Sequence, residues 1–262
     1  MDRDVEPMWR FWFQQDIYTK LPTQCSSLAE LKDTLPDKVN VTIGINEIHD
    51  AVVDWDEINT DNPFLGDYTL TGTLTEQDKS FDHKVCILNP KTLYFFDCAA
   101  DSSDYFDKLQ KSASGLLNSK PDQAYTPENH AGYQGEEDTD FGRYNGFGLY
   151  HNGWWAKENK PIEYVFDLAP GEYTVATGYQ EWWSTERGIK ISAVIKNSDG
   201  SQSELTAKNF ILGNHDYALV QELTFTVPNT DENLSSVIIR VEKTDSPDPV
   251  LSFIGLVKDS PS

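Results

Sequence analysis

Basic residues, cysteine, methionine and long apolar runs are all scarce in this chain of 262 residues. Lysine and arginine together number 21 against 43 acidic residues, a formal net charge of −22. A surface of that sign repels nucleic-acid phosphates, anionic lipid and polyanionic glycans, so no nucleic acid and no membrane are expected as partners and a neutral one is favoured. The three cysteines, Cys25, Cys86 and Cys98, contain no Cys-x-x-Cys pair. An odd number cannot complete an intramolecular disulfide framework. Buried free thiols are expected, with a single bridge such as Cys86 to Cys98 left open. No run of about 18 apolar residues occurs, so no membrane span is expected. Nor does a basic stretch followed by a short apolar one open the chain, so no secretory leader is read there. Trp9, Phe11, Trp12 and Phe13 crowd the start instead. Rings gathered at a terminus have little to bury against, which suggests a fragment whose neighbour packed on them.

Signatures of catalysis are equally sparse. Gly146-x-Gly148 lacks the third glycine of a dinucleotide loop, since His151 stands there. Neither a Gly-x-x-x-x-Gly-Lys phosphate loop nor a Gly-x-Ser-x-Gly elbow is present. His49, His83, His130, His151 and His215 show no paired metal spacing. Carboxylates are abundant enough that an acid/base pair such as Asp140 with Glu181 can always be drawn. A glycosidase needs them about 5–9.5 Å apart across a cleft.

What the chain does have is aromatic side chains, 12% of its residues, in a composition only 38% hydrophobic. Such a mixture suits compact β-sandwiches, whose pleated surfaces accept aromatic and β-branched residues. Four of the seven tryptophans lie in two short stretches, Gly153-Trp154-Trp155 and Tyr179-Gln180-Glu181-Trp182-Trp183. Both stretches adjoin runs that read as strands. Flat rings at strand ends suit stacking on the apolar faces of sugars, and Glu181 and Arg187 can add directional hydrogen bonds. If the strand from Tyr173 runs to Trp183, Trp182 and Trp183 point to opposite faces, and so do Trp154 and Trp155. One indole of each pair is then expected in the open. Loop tyrosines Tyr125, Tyr133, Tyr144 and Tyr150, with His151, are candidates for the same cleft. The run Glu136-Glu137-Asp138-Thr139-Asp140 is rich enough in oxygen for calcium, yet lacks EF-hand spacing; a solvated acidic loop is its plainer reading.

Organisation follows from turns and alternation. Residues 1–20 read as a connecting segment. Residues 21–92 read as a small β-domain with a short helix at Ser27–Leu31, capped by Ser26 or Ser27. Its strands are drawn at Val39–Ile43, Val52–Trp55, Tyr68–Leu74 and Lys84–Leu88, with Trp55 in the core. Asn89-Pro90 breaks the chain. Residues 93–258 read as a larger β-domain. It has a strand at Leu93–Phe96, a helix over Asp104–Leu117 and a long looped segment over 118–152. Strands follow at Ile162–Leu168, Tyr173–Trp183, Ile189–Lys196, Leu223–Val227, Val237–Glu242 and Val250–Val257.

Leu35-Pro36, Val53-Asp54-Trp55 and Gly66-Asp67-Tyr68-Thr69-Leu70-Thr71-Gly72-Thr73 resemble the bacterial immunoglobulin-like domains of the group-four type. Across the larger domain, Phe96-Asp97-Cys98-Ala99, Gly171-Glu172-Tyr173-Thr174-Val175 and Gly178-Tyr179 through Glu181 resemble the malectin and malectin-like group of galactose-binding-like sandwiches. Ala99 departs from the glycine usual in that group. Tyr94–Ala100, Leu116–Tyr125 and the Trp-Trp pairs also look like accessory domains of bacterial plant-glycan glycosidases. These resemblances imply an all-β chain of two consecutive β-sandwiches, immunoglobulin-like and then a galactose-binding-like jelly roll. They imply a spacer followed by a non-catalytic carbohydrate-binding module, from a secreted or cell-surface bacterial enzyme. The expected partners are a neutral plant-type oligosaccharide or polysaccharide and a covalently linked catalytic domain. No cofactor is expected beyond a structural calcium suggested at family level. The residues expected at the sugar are Trp154, Trp155, Tyr179, Glu181, Trp182, Trp183, Arg187, Tyr144 and Tyr150. Two other readings stay open: a glycoside hydrolase in its own right, and a module docking a catalytic domain through Trp9, Trp12, Trp154 and Trp183 on one surface.

Overall fold

A computed structural model of the chain describes residues 17–42, 48–58, 66–113, 115–146, 148–197, 199–229, 233–245 and 247–259. The aromatic burst at Trp9–Phe13 lies outside them. The described residues form seventeen strands and two short helices, so the chain is all-β. It divides into two compact units that meet in sequence between Ile87 and Leu88.

In the first unit, β1 (Gln24–Cys25) is followed by α1 (Leu28–Thr34), then β2 (Lys38–Thr42), β3 (Ile48–Trp55), β4 (Gly66–Leu74) and β5 (Lys79–Ile87). Ser27 caps α1 by accepting from the Glu30 amide at 3.1 Å, and Glu30 reaches back to the Ser26 amide at 2.8 Å. These bonds satisfy orphan donors at the helix start. The strands form one sheet in the order β1-β5-β4-β3-β2, with β1 parallel to β5. Val39, Val41, Ala51, Val53 and Leu74 make the core, and Trp55 packs on it. The Trp55 indole donates to the Pro36 carbonyl at 2.9 Å, as a structural ring should.

The second unit begins with β6 (Thr92–Asp97) and α2 (Asp104–Ser112). It continues through β7 (Ala131–Gln134), β8 (Phe141–Tyr144), β9 (Gly153–Ala156), β10 (Ile162–Leu168) and β11 (Gly171–Tyr179). The last elements are β12 (Arg187–Lys196), β13 (Gln202–Leu212), β14 (Leu219–Val227), β15 (Ser235–Lys243), β16 (Val250–Leu251) and β17 (Phe253–Lys258). A five-stranded sheet in the order β13-β12-β15-β10-β7 faces a four-stranded sheet in the order β14-β11-β17-β6. Between them lie Tyr164, Phe166, Ile191 and Ile239 from one side and Phe96, Tyr173, Val175 and Leu256 from the other. The small sheet β16-β9-β8 adds Trp154 and Phe141 to this core.

Three elements differ from the sequence reading. The segment 118–152 is not all loop: it holds β7 and β8, each of four residues. Helix α2 ends at Ser112 because Ala113 is already extended, five residues short of Leu117 at φ −95° and ψ 111°. Strand β13 has no counterpart in the reading. Seven of its eleven residues are exposed, and a register shift at Ala193/Val194 blurs its pairing with β12.

Candidate functional site

The strand expected to carry Tyr173 to Trp183 stops at Tyr179. Beyond it the chain turns on two contacts. The Glu181 amide donates to the Asp216 carbonyl at 2.9 Å, and the Trp183 amide donates to Glu181 Oε1 at 2.8 Å. Ser184 then takes a left-handed conformation, φ 56°. Period-two alternation no longer applies, so Trp182 and Trp183 emerge at one rim instead of on opposite faces. Their ring centroids are 5.6 Å apart at 80°.

Each ring of this rim is seated by a specific neighbour. Trp182 stacks on Tyr144 of β8, centroids 4.5 Å apart and planes within 3°. Its indole donates to the Tyr150 carbonyl at 3.0 Å. It also rests against Gly153, where a Cβ would come within 2.5 Å of the ring. Trp155 lies over Gly142, its directly paired residue on β8, where a Cβ would sit 2.3 Å from the indole. Only a residue with no side chain lets those rings approach so closely. Trp183 is 47% exposed and meets Trp155 edge-on, centroids 6.0 Å apart at 78°. The two indoles form a corner in a groove of about 350 Å3 also lined by Ala156, Arg187, Pro247 and Asp248. Lys157 Nζ sits 5.3 Å from the Trp155 ring centre.

Of the nine residues expected at the sugar, Trp155, Trp182, Trp183 and Tyr144 share this rim. Arg187 lines the groove beside them, with its side chain buried, and the other four are corrected. Trp154 is 1% exposed, because β9 points it inward. Its indole donates to Asp122 Oδ2 at 3.0 Å and to the Tyr164 hydroxyl at 3.1 Å. Tyr179 is fully buried, with its hydroxyl bonded to Thr177 at 2.9 Å. Tyr150 is buried against Phe253, centroids 5.5 Å apart. Glu181 and Arg187 are buried too, and they pair with each other. Arg187 donates from Nε and Nη2 to the two Glu181 oxygens and from Nη1 to the Asp248 carbonyl. Those bonds engage both carboxylate oxygens of Glu181 and three nitrogens of Arg187. They fix the loop that carries Trp183, whose ring centre lies 5.3 Å from the Arg187 guanidinium. Of the other loop residues, Tyr133 packs between Phe141 and Trp154, with centroids 5.7 and 5.4 Å away, and His151 is exposed.

Of the docking surface drawn through Trp9, Trp12, Trp154 and Trp183, Trp154 is buried, Trp183 is exposed, and Trp9 and Trp12 lie outside the described residues. The acid/base pair of Asp140 and Glu181 fails on chemistry. Glu181 is held by the guanidinium, and the hydrogen bond from Lys160 holds the Asp140 carboxyl below the usual carboxylate range. A raised carboxyl is what a glycosidase acid needs. The acidic run near Glu136 bonds neighbouring basic side chains. Arg143 bonds Glu137 at 3.0 Å, Lys157 bonds the Asp138 carbonyl at 2.8 Å, and Lys160 bonds Asp140. Among the described residues no three acidic, histidine or cysteine side chains gather as metal ligands. All three cysteines are buried and none is in a disulfide.

Two desolvated acids, Asp97 and Asp122, were given no role in the sequence reading. Asp122 accepts from the Ala99 amide at 2.7 Å, from the Gln123 amide at 2.9 Å, and from Trp154 and Tyr164. Burial pushes its carboxyl up to about 7 against those donors. Burial likewise pushes Asp97 up to about 7, and its Oδ1 has no hydrogen-bond partner. An unfolded Asp titrates near 3.9. The folded state therefore holds the extra protons above that value. Their stabilisation is complete below about pH 4 and is lost as pH rises through about 7. Asp97→Asn keeps the shape without the charge. It is expected to exceed the parent in stability by roughly 1–3 kcal/mol at pH 8 and to flatten the decline from pH 5 to 8. Urea unfolding across that range measures both, and an unchanged pH slope would refute the assignment to Asp97.

No protein-family model matches the chain, and no curated protein sequence does. Solved structures are similar to it. A calcium-binding mutant of β-glucuronidase 2 from Bacteroides uniformis shares 17% identity over 94% of this chain, with a TM-score of 0.39. The chain spans only 30% of that protein's length. A carbohydrate-binding module of the CBM28 type, specific for non-crystalline cellulose, shares 12% identity over 50% of this chain and 86% of its own, with a TM-score of 0.33. A xylan-binding domain of the CBM22 type from Paenibacillus barcinonensis shares 11% identity over 50% and 88%, with a TM-score of 0.36.

Proposed function

We propose that the second unit is a non-catalytic, malectin-like carbohydrate-binding module. Its ligand is a neutral plant-type oligosaccharide or polysaccharide. The first unit is an immunoglobulin-like spacer, and both belong to a secreted or cell-surface bacterial enzyme whose catalytic domain is covalently linked. The observation that carries this reading is the corner of Trp183 and Trp155, two rigid indoles set at right angles beside a groove. Trp155 packs partly on the core, but Trp183 leaves half its indole in water, where a sugar's C–H face gains from stacking on it. A seat made by Gly142 and a loop locked by the Glu181–Arg187 pair keep the rings from relaxing, so little ordering is lost on binding. The chain's charge of −22 favours an uncharged glycan.

Trp183→Ala tests the reading. The ring is half exposed, so the fold should hold within about 0.5 kcal/mol. Removing a central stacking residue costs about 2 kcal/mol or more of binding, roughly thirtyfold. A neutral-glycan array followed by titration of the strongest hits measures it. Unchanged binding would show that the corner is not where the sugar sits.

A further inference from the structure

The outward face of the five-stranded sheet departs from the polar alternation that water requires of it. Val165 of β10, Ile238 of β15 and Val194 of β12 lie side by side there, Val165 paired with Ile238 and Ile238 with Val194. Their neighbours in sequence, among them Tyr164, Phe166, Val237, Ile239 and Ala193, belong to the inner core. All three aliphatic residues are buried, and Tyr125 packs against them. On the other side of Val165 the paired residue of β7 is Gly132, which adds no side chain.

Polar rows flank this apolar one. Asp167 pairs with Ser236 and Lys196 with Gln202 on one side. Gln134 pairs with Glu163 and Glu163 with Arg240 on the other. Together they shape a trough of about 350 Å3 whose lining includes Tyr125, Gln134, Val165, Lys196, Gln202 and Ile238. Every strand of the sheet contributes to it. Strands lie about 4.8 Å apart, so the trough crosses about 19 Å.

Tyr125 is held in place. Its hydroxyl donates to the Asp167 carboxylate at 3.1 and 3.3 Å, and His130 Nδ1 lies 3.0 Å from the same carboxylate. Arg240 and Glu163 neutralise each other at 2.6 Å. Gln134 and Lys196 are exposed, and their amide and amine make no hydrogen bond to the described residues.

We infer that this trough is a second saccharide-binding site, taking a neutral oligosaccharide laid across the strands. The fixed Tyr125 ring, packed over the buried aliphatic row, meets the apolar face of a sugar. Gln134, Lys196 and Ser236 meet their hydroxyls. A peptide fits poorly, because peptides that add to sheets use free backbone groups at an edge strand. Here the apolar row lies on β10, β15 and β12, each paired on both sides. The trough shares no lining residue with the tryptophan corner, so the two sites stand or fall separately.

The experiment is calorimetric titration of the full chain with cellohexaose, xylohexaose and arabinohexaose. Trp183→Ala is the background. That variant is expected to keep binding at least one hexaose. Adding Gln134→Ala with Lys196→Ala, both at exposed positions that leave the fold intact, should weaken the remaining binding tenfold or more. Adding Tyr125→Ala instead should do the same. If Trp183→Ala binds none of the three, or if the trough substitutions change its affinity less than twofold, the second site is overturned. The tryptophan corner fails differently: Trp183→Ala would then match the parent, and the trough substitutions alone would remove binding.

Discussion

Replacing Glu181 by alanine is expected to destabilise the second unit by about 3–5 kcal/mol, the usual cost of stranding one member of a buried ion pair. The Arg187 side chain is only 6% exposed and that of Glu181 is at 0%, so water cannot rescue the cation left behind. The Asp248 carbonyl would be its remaining partner. The same change removes the acceptor of the Trp183 amide, which loosens the loop. A unit of this size should lose roughly 10 °C of melting temperature. Replacing both members with apolar residues of similar volume, Glu181→Leu with Arg187→Met, should recover much of the loss, because no charge is then buried alone. Urea unfolding distinguishes the cases. A cost below about 1 kcal/mol for Glu181→Ala would mean that the pair is not load-sharing in the folded state, and the account of the loop would have to be abandoned.

The second large effect concerns a tryptophan next in sequence to a rim residue. Trp154→Ala is expected to cost about 3–5 kcal/mol, as do other large-to-small changes of buried aromatics. Trp154 packs against Phe141 with centroids 4.7 Å apart, and the Arg143 guanidinium lies 5.2 Å from its ring centre. Its indole is one of the donors to Asp122, so truncation also leaves a buried acid short of a partner. Trp154→Phe keeps the bulk and loses the N–H, and should cost about 1–3 kcal/mol. Glycan binding by the Trp154→Phe chain should stay near the parent's. Chemical denaturation of the Trp154→Ala and Trp183→Ala chains side by side is the discriminating measurement. Equal, small losses from the two would contradict the inward placement of Trp154.

The all-β class and the long strands of the second unit were legible because Ile162–Leu168, Tyr173–Tyr179 and Ile189–Lys196 alternate or run apolar where the structure buries them. Alternation also implied that one of Trp154 and Trp155 is inward. It could not say which, because that choice depends on Gly142 across the ladder, which leaves room over its backbone for Trp155. The error at Trp182 and Trp183 has a similar origin. The turn after Tyr179 is imposed by Asp216 and Arg187, both remote in sequence, and nothing in Gln180-Glu181 announces it. Glu181 and Arg187 were read as separate hydrogen-bonding contacts to a sugar, and the structure pairs them with each other. The trough had a signal that went unread: Tyr164-Val165-Phe166 and Val237-Ile238-Ile239 are apolar without a break, which is what a strand covered on both faces looks like.

Strand β13 bears on how such a molecule behaves in a crowd. It stands at the margin of the five-stranded sheet, where unpaired backbone groups invite a neighbouring polypeptide to add itself. Glu204, Lys208 and their polar neighbours face water along that margin. An incoming chain would have to strip solvent from charged groups before gaining any ladder bonds. The strand that sequence patterning could not see is, for the same reason, a guard against fibre-like stacking.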